Sequence, residues 1–326
     1  VSSAAGLERL EDAGAKGLFG ALFQKRTLED LEEHFAVGTK LTTPNLDQVQ
    51  LGWPAPWVFM RLLGFSVIAT IGFFWAINRF NNFLLYPGWL FMGAFAVPFS
   101  VMIFFLETNV LRNVSFYRVL KLLFLGGLMS LVFALVLFET TAADQWFGAV
   151  AAGPVEELAK LLAVVFIAKN WVRMHWTLNG MLLGAAVGAG FAAFETAGYI
   201  LNTAVNGASE TGVMILRAFF TPFTHIIWTA ATAGALWRFK GTEPFSFGML
   251  KEWSVLRILL FVMGLHALWN SPVMFPFFGE FLGYVIKWLI LGLVGWVLVI
   301  LLIQDGLNQV RKARKLNPEA SDPSVP

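Results

Sequence analysis

The sequence predicts an all-α fold, a polytopic bundle of about eight membrane-spanning helices with both termini cytoplasmic. Three observations predict it. Of the 326 residues, 57% are hydrophobic and only 13% are charged, against roughly 25% charged in a soluble domain. The apolar residues gather in blocks of about 20, the length at which a helix crosses a bilayer. Lys and Arg keep to alternate connections between those blocks, as the positive-inside bias requires.

In chain order, residues 1–56 read as a cytoplasmic arm of short amphipathic helices. The GLFGALFQKR stretch has an apolar face that ends in Lys25 and Arg26, and Thr27 with Asp30 forms a capping-box pattern. Such an arm suits a membrane-surface or regulatory role, or no separate role at all. The bundle follows at 57–304, with spans at 59–77, 84–106, 119–138, 146–167, 177–201, 212–237, 255–273 and 281–303. The fourth span is the least apolar because it holds GPVEELAK. The seventh stops at Asn270-Ser271-Pro272, a natural helix end. Residues 305–326 read as a basic, then disordered, cytoplasmic tail.

Orientation rests on the short connections. Arg112, Arg118 and Lys121 follow the second span, and Lys169 and Arg173 follow the fourth. Arg238, Lys240 and Lys251 follow the sixth, and Arg311, Lys312, Arg314 and Lys315 follow the eighth. Arg79 is the one exception. The net charge of +2 gives no reason to expect a nucleic-acid partner, and with no cysteine, thiolate metal sites and cysteine nucleophiles are excluded.

Ionisable residues at membrane depth cost about 2.5–3.5 kcal/mol each and face the protein interior. Span four carries Glu156, Glu157 and Lys160. One lysine neutralises one glutamate, so a plain helix-stabilising ion pair would leave the other unexplained. In span five, Gly180, Gly184 and Gly188 repeat at the four-residue spacing of close helix contacts, and Phe191, Glu195 and Tyr199 continue that face. In span six, Thr221, His225 and Thr229 form a polar stripe, with Thr224 beside it and Pro222 able to kink the helix. In span seven, His266 and Asn270 share a face. Arg217 and Lys287 are long enough to snorkel from the outer ends of their helices and read as structural or lipid-facing. Counted along the spans, Glu156 and His225 fall near the midplane, and Glu195 and His266 within about 10 Å of the outer face. One shared depth suggests one site.

Two His and one Glu make a zinc ligand set, here Glu195, His225 and His266, with a second glutamate as general base. Without metal, a glutamate could activate water directly while His and Asn bind the oxyanion. Both routes end in hydrolysis of an amide bond in a membrane-associated peptide.

Glu156-Glu157-x-x-Lys160, Phe191-x-x-x-Glu195-x-x-x-Tyr199, His225 and His266-x-x-x-Asn270 resemble the successive motifs of the PrsW family of intramembrane proteases. That family is related to the CAAX prenyl endopeptidases and to bacteriocin-processing proteins. The resemblance covers about 146–272 and leaves out the arm, the first three spans and the tail. It implies a multi-pass protease of a prokaryotic cell membrane that cuts a single-pass membrane protein, such as an anti-sigma factor, on its outer side. It implies Glu156, Glu157, Glu195, His225, His266 and Asn270 as site residues, supported by Lys160, Phe191 and Tyr199. By likeness to the CAAX relatives, Glu156 would activate water and Glu157 would pair with the basic residue. Lys160 stands one residue earlier than in those relatives, and helical spacing favours Glu156 as its partner, which would free Glu157. Two other readings compete: a proton- or cation-coupled transporter, and a non-catalytic membrane scaffold.

Overall fold

The computed structural model describes residues 20–316, apart from 23, 40 and 208. Every regular element among them is helical. We label the main helices α1 (Leu28–Phe35), α2 (Val58–Phe80), α3 (Tyr86–Thr108), α4 (Phe116–Thr141), α5 (Ala152–Ala168), α6 (Thr177–Val205), α7 (Glu210–Phe220), α8 (His225–Lys240), α9 (Trp253–Asn270) and α10 (Glu280–Leu316).

Seven stretches are long and apolar enough to cross a membrane: α2, α3 with the turn before it, α4, α6, α7 joined to α8, α9 and α10. The expected fourth span, α5, has 17 residues and is not among them. Its short length has a local cause. The chain takes a left-handed turn at Gly148 (φ 58°) and a 3-10 turn over Gly148–Ala151 before the helix starts. Chain topology still requires α5 to cross. Leu46, Val49, Leu111, Trp176 and Val310 pack in one cluster. The segment before α2, the loop after α3, the start of α6 and the end of α10 therefore share one end of the bundle, and α5 returns the chain to it.

That end is tied together by polar contacts. The Glu107 carboxylate accepts from the backbone N–H groups of Trp57, Val58 and Phe59 at 2.8, 2.9 and 2.9 Å, which caps the otherwise unpaired first turn of α2. Arg311 donates to the Leu51 carbonyl at 2.8 Å, and Asn109, Asn113 and Asn179 bond one another in a buried ring. The expected capping box forms: Thr27 N–H donates to Asp30 at 2.7 Å and Asp30 N–H to Thr27 at 3.1 Å. α10 continues as helix to Leu316, through the basic part of the expected tail. Of the residues expected to be disordered, 316–326, Leu316 ends α10 and the others lie outside the described ones, as do 17–19 and 23 of the amphipathic stretch.

At the centre, α6 is buried along most of its length and pairs most extensively with α8. Gly180, Gly184 and Gly188 face α8: a Cβ at Gly188 would lie 2.5 Å from the His225 carbonyl. A second close approach brings α5 onto α9, where a Cβ at Gly153 would lie 2.5 Å from the Met263 carbonyl and 2.8 Å from Ala267 N. Span six is broken rather than kinked. After α7 the chain makes a 3-10 turn, Thr221–Phe223, and α8 begins afresh at His225. Trp296 donates to the Pro222 carbonyl at 2.9 Å, satisfying a backbone group freed by the break, as non-helical chain at membrane depth requires.

Adding one methyl at each of two glycines should act with opposite sign. Gly153→Ala forces a methyl against backbone and should destabilise by about 1–3 kcal/mol. Gly198→Ala, inside α6 with open space around it, should gain up to about 1 kcal/mol from helix propensity. Thermal unfolding in detergent compares them; equal melting points would refute the α5–α9 contact as a close-packed one.

Candidate intramembrane active site

The charged residues of spans four to seven converge. Glu156 and Glu157 are the fifth and sixth residues of α5, not ten residues into a long helix, because the turn at 148–151 delays its start. Near a helix N-terminus the peptide dipoles favour negative charge. Lys160, one turn on, is fully buried and donates to Glu157 Oε1 at 2.6 Å and to His225 Nδ1 at 2.7 Å. Glu156 Oε2 lies farther from it, at 3.5 Å. The helical-spacing expectation is thus reversed. Lys160 takes Glu157, the fully buried glutamate, as its close partner, and Glu156, 12% exposed, is held loosely. The i,i+3 pair wins because Glu157 also receives His266 Nδ1 at 2.9 Å, so one carboxylate oxygen joins α5 to α9.

Hydrogen-bond partners assign the imidazole tautomers. An ammonium only donates, so His225 Nδ1 accepts from Lys160. Its Nε2–H then faces Glu195 Oε2, 3.2 Å away. His266 donates Nδ1–H to the Glu157 carboxylate, which leaves a lone pair on Nε2, and Glu156 Oε2 lies 3.8 Å from that nitrogen. Glu156 Oε2 has no hydrogen-bond partner. One ligand atom from each of Glu156, His225 and His266 lies within 4.8 Å of the others. Glu195, expected in the metal set, stands outside this trio. It faces the far nitrogen of His225 and forms an ion pair with Arg217.

The supporting residues also have defined places. The Phe191 ring lies 4.2 Å from Lys160 Nζ and 5.0 Å from the His225 ring. Tyr199 is half exposed and stacks on the Arg217 guanidinium at 4.2 Å. Asn270, the last residue of α9, makes no side-chain hydrogen bond among the described residues. The Thr221 and Thr229 hydroxyls donate back to the carbonyls of Arg217 and His225 at 2.7 Å each.

Of the two readings given to Arg217 and Lys287, structural or lipid-facing, the structure favours the first, and sequence reasoning passed over one aromatic residue. Arg217 pairs with Glu195, and its Nε donates to Thr196 at 3.0 Å. Lys287 is buried and donates to the carbonyls of Trp269 and Ser271 at 3.1 and 2.8 Å, closing the end of α9 together with the Ser271 N–H, which bonds the Leu268 carbonyl at 3.2 Å. Neither points to lipid. Trp228 packs its ring 4.7 Å from His266. Its spacing of three residues from His225 on one helix was the available signal.

A family model described as "PrsW family intramembrane metalloprotease" matches residues 87–303. The chain belongs to this family. The match reaches beyond 146–272 into the second, third and eighth spans, which the motif resemblance had left out. No curated protein and no solved structure matches the chain. As a PrsW protein it is an integral membrane protein and an intramembrane protease, acting on a membrane-protein substrate within the bilayer.

The buried pair makes a direct prediction. Lys160→Met leaves Glu157 charged, unpaired and without water, which should cost about 3–5 kcal/mol. Lys160→Met combined with Glu157→Gln should recover a large part of that. Thermal unfolding of the purified protein reads both, and a single variant that melts with the parent would remove the pair from the account of stability.

Proposed function

We propose that this PrsW protein hydrolyses a peptide bond of a membrane-anchored protein with water activated at Glu156, His225 and His266, zinc being the metal that these three residues hold. The observation that carries the reading is the contrast among the three glutamates. Glu157 and Glu195 are each fastened through one oxygen by a close cation and an imidazole, although the second oxygen of Glu157 has no partner. Glu156 has no close cation, Lys160 lying 3.5 Å away, and its unpartnered Oε2 stands 3.8 Å from the His266 Nε2 lone pair.

The donor set suits zinc, which takes imidazole and carboxylate ligands. Each imidazole also gives its other N–H to a glutamate, His266 to Glu157 and His225 to Glu195, the outer-shell arrangement that fixes the tautomer of metal-binding histidines. Bound there, zinc would acidify a water and polarise the scissile carbonyl. The chain's own residues do the rest. Glu157 orients His266, Lys160 neutralises Glu157, and Arg217 anchors Glu195 behind His225. Glu156 supplies the negative charge at the water.

One contact favours a metal-free variant of the same chemistry. Lys160 occupies the His225 Nδ1 lone pair, and with it taken, Glu156 would accept the water's proton and pass it to the leaving amine. The finer biological reading is a single-pass substrate of the anti-sigma-factor kind, cut toward the outer half of a prokaryotic cell membrane, with both ends of this chain cytoplasmic. An even crossing number would put both ends on one side, and the Lys and Arg of the connections favour the cytoplasmic one.

Elemental analysis of the purified protein should find about one zinc per chain, lost in His266→Ala; an active preparation free of metal would sink the zinc and leave Glu156 as sole base. In cells, mapping of new protein termini should find a membrane protein shortened by the parent and not by Glu156→Gln, whose activity should fall at least about 10²-fold. Identical termini at equal expression would overturn hydrolysis and favour a transport or scaffold role.

A further inference from the structure

We propose that the cavity between α7, α9 and α10 is a specificity pocket that receives one bulky apolar side chain of the substrate, next to the bond that is cut. The proposal rests on the protease reading and adds to it what the enzyme selects. The cavity measures about 170 Å³ and is walled by Leu216, Phe220, Trp269 and Trp288, with Arg217 and His225 also lining it. A dry cavity of roughly 150 Å³ accepts a benzene molecule. The space therefore fits one Leu, Met or Phe side chain and not two.

Three features favour a peptide side chain over a lipid tail. The pocket is continuous with the candidate site, because His225 belongs to both. Its wall is preformed: the Phe220 ring stands edge-on to Trp269 and Trp288, with centroids 5.6 and 5.2 Å away. Trp269 and Trp288 stack at 5.7 Å, and Trp288 Nε1 donates to the Trp269 carbonyl at 3.0 Å. Such a wall loses little freedom on binding. Third, the pocket carries polar groups of no use to an acyl chain. Arg217 uses Nη2 on Glu195 and Nε on Thr196, and Nη1 has no partner among the described residues. A peptide backbone has carbonyls that can accept from such a donor, and an acyl chain has none along its length. Trp269 also meets the Trp228 ring at 5.8 Å, and Trp228 packs on His266, so the aromatic wall runs from the pocket to the second imidazole.

The test uses the full chain in zinc-supplied proteoliposomes, with a pool of synthetic single-span peptides of about 20 apolar residues that differ by Ala, Leu, Phe, Trp, Asp or Lys at scanned positions. New termini are read by mass spectrometry. At one fixed position relative to the cut, Leu or Phe should exceed Ala by roughly 10- to 100-fold in kcat/KM, and Asp and Lys should be rejected. Leu216→Trp, which fills the cavity, should bring Leu and Phe down to the level of Ala while the Ala peptide is still cut. Leu216→Ala should shift the preference toward Phe and Trp. Cleavage by the parent that ignores this residue, or a preference that neither variant moves, overturns the pocket and leaves the cavity to lipid. Failure of the parent to cut any peptide overturns the protease reading, and the pocket with it, and is told apart because no cleavage profile exists at all.

Discussion

The candidate site depends on one buried ammonium. Lys160 is fully enclosed, and its charge is met by Glu157 at 2.6 Å, the His225 ring nitrogen at 2.7 Å, the Phe191 face at 4.2 Å and, more loosely, Glu156 at 3.5 Å. A lone charge at that depth would cost several kcal/mol. These contacts come from three helices, α5, α6 and α8, and Glu157 extends the bond to His266 on α9. Removing the charge from any one partner leaves the others mismatched, so the four helices hold a single register around it. Such a centre does not add much net stability compared with an apolar core. What it does is fix which nitrogen of each imidazole carries a hydrogen.

Small residues make this centre reachable. Ionic side chains of four helices can meet only if the helix axes come close, and Gly153 and Gly188 stand where backbone touches backbone next to the site. The π-helical turn at Leu122–Gly126 does the same for α4, letting Gly127 lie against Gly190, one residue before Phe191. The break between α7 and α8 serves a different end. It lets α7 carry Arg217 to Glu195 while α8 starts a new helix at His225, so one span contributes both a cation and an imidazole from different directions. Non-helical backbone is tolerated there because its groups are bonded internally, to Trp296 and to threonine hydroxyls.

Much of this was legible in the sequence, and for identifiable reasons. Hydropathy marks helices that face lipid, so most spans could be read to within a few residues. It under-reads α5, whose composition answers to protein neighbours and whose start depends on a left-handed glycine at 148. The glycine spacing in α6 correctly named the face that meets α8, since close packing has no substitute for a missing Cβ. The ionisable residues were found because each is expensive in lipid. Their pairing was not. Spacing along α5 alone favours Glu156 for Lys160, and the deciding contact, His266 on Glu157, comes from 109 residues away. The partners of Arg217 and Lys287 were out of reach for the same reason: snorkelling is a property of one helix, whereas Glu195 and the Trp269 carbonyl lie on others.

Charge balance supports the role proposed for Glu156. Three carboxylates, Glu156, Glu157 and Glu195, face two fixed cations, Lys160 and Arg217, while both histidines are neutral in the tautomers assigned above. The surplus is one negative charge. Glu157 and Glu195 are each tied through one oxygen by a close cation and an imidazole N–H, while Oε2 of Glu156 and Oε2 of Glu157 both lack a donor. The surplus falls on Glu156 because it is the carboxylate without a close cation, 3.5 Å from Lys160. A further cation or a proton between Glu156 and the His266 lone pair would answer that imbalance. Zinc binding and proton transfer from water are, at this atom, two answers to the same electrostatic demand. What separates them is Lys160. A metal that recruited His225 through Nδ1 would have to take that lone pair from the ammonium, so on the proposed reading the lysine that makes two adjacent glutamates tolerable would also set how strongly the site competes for metal.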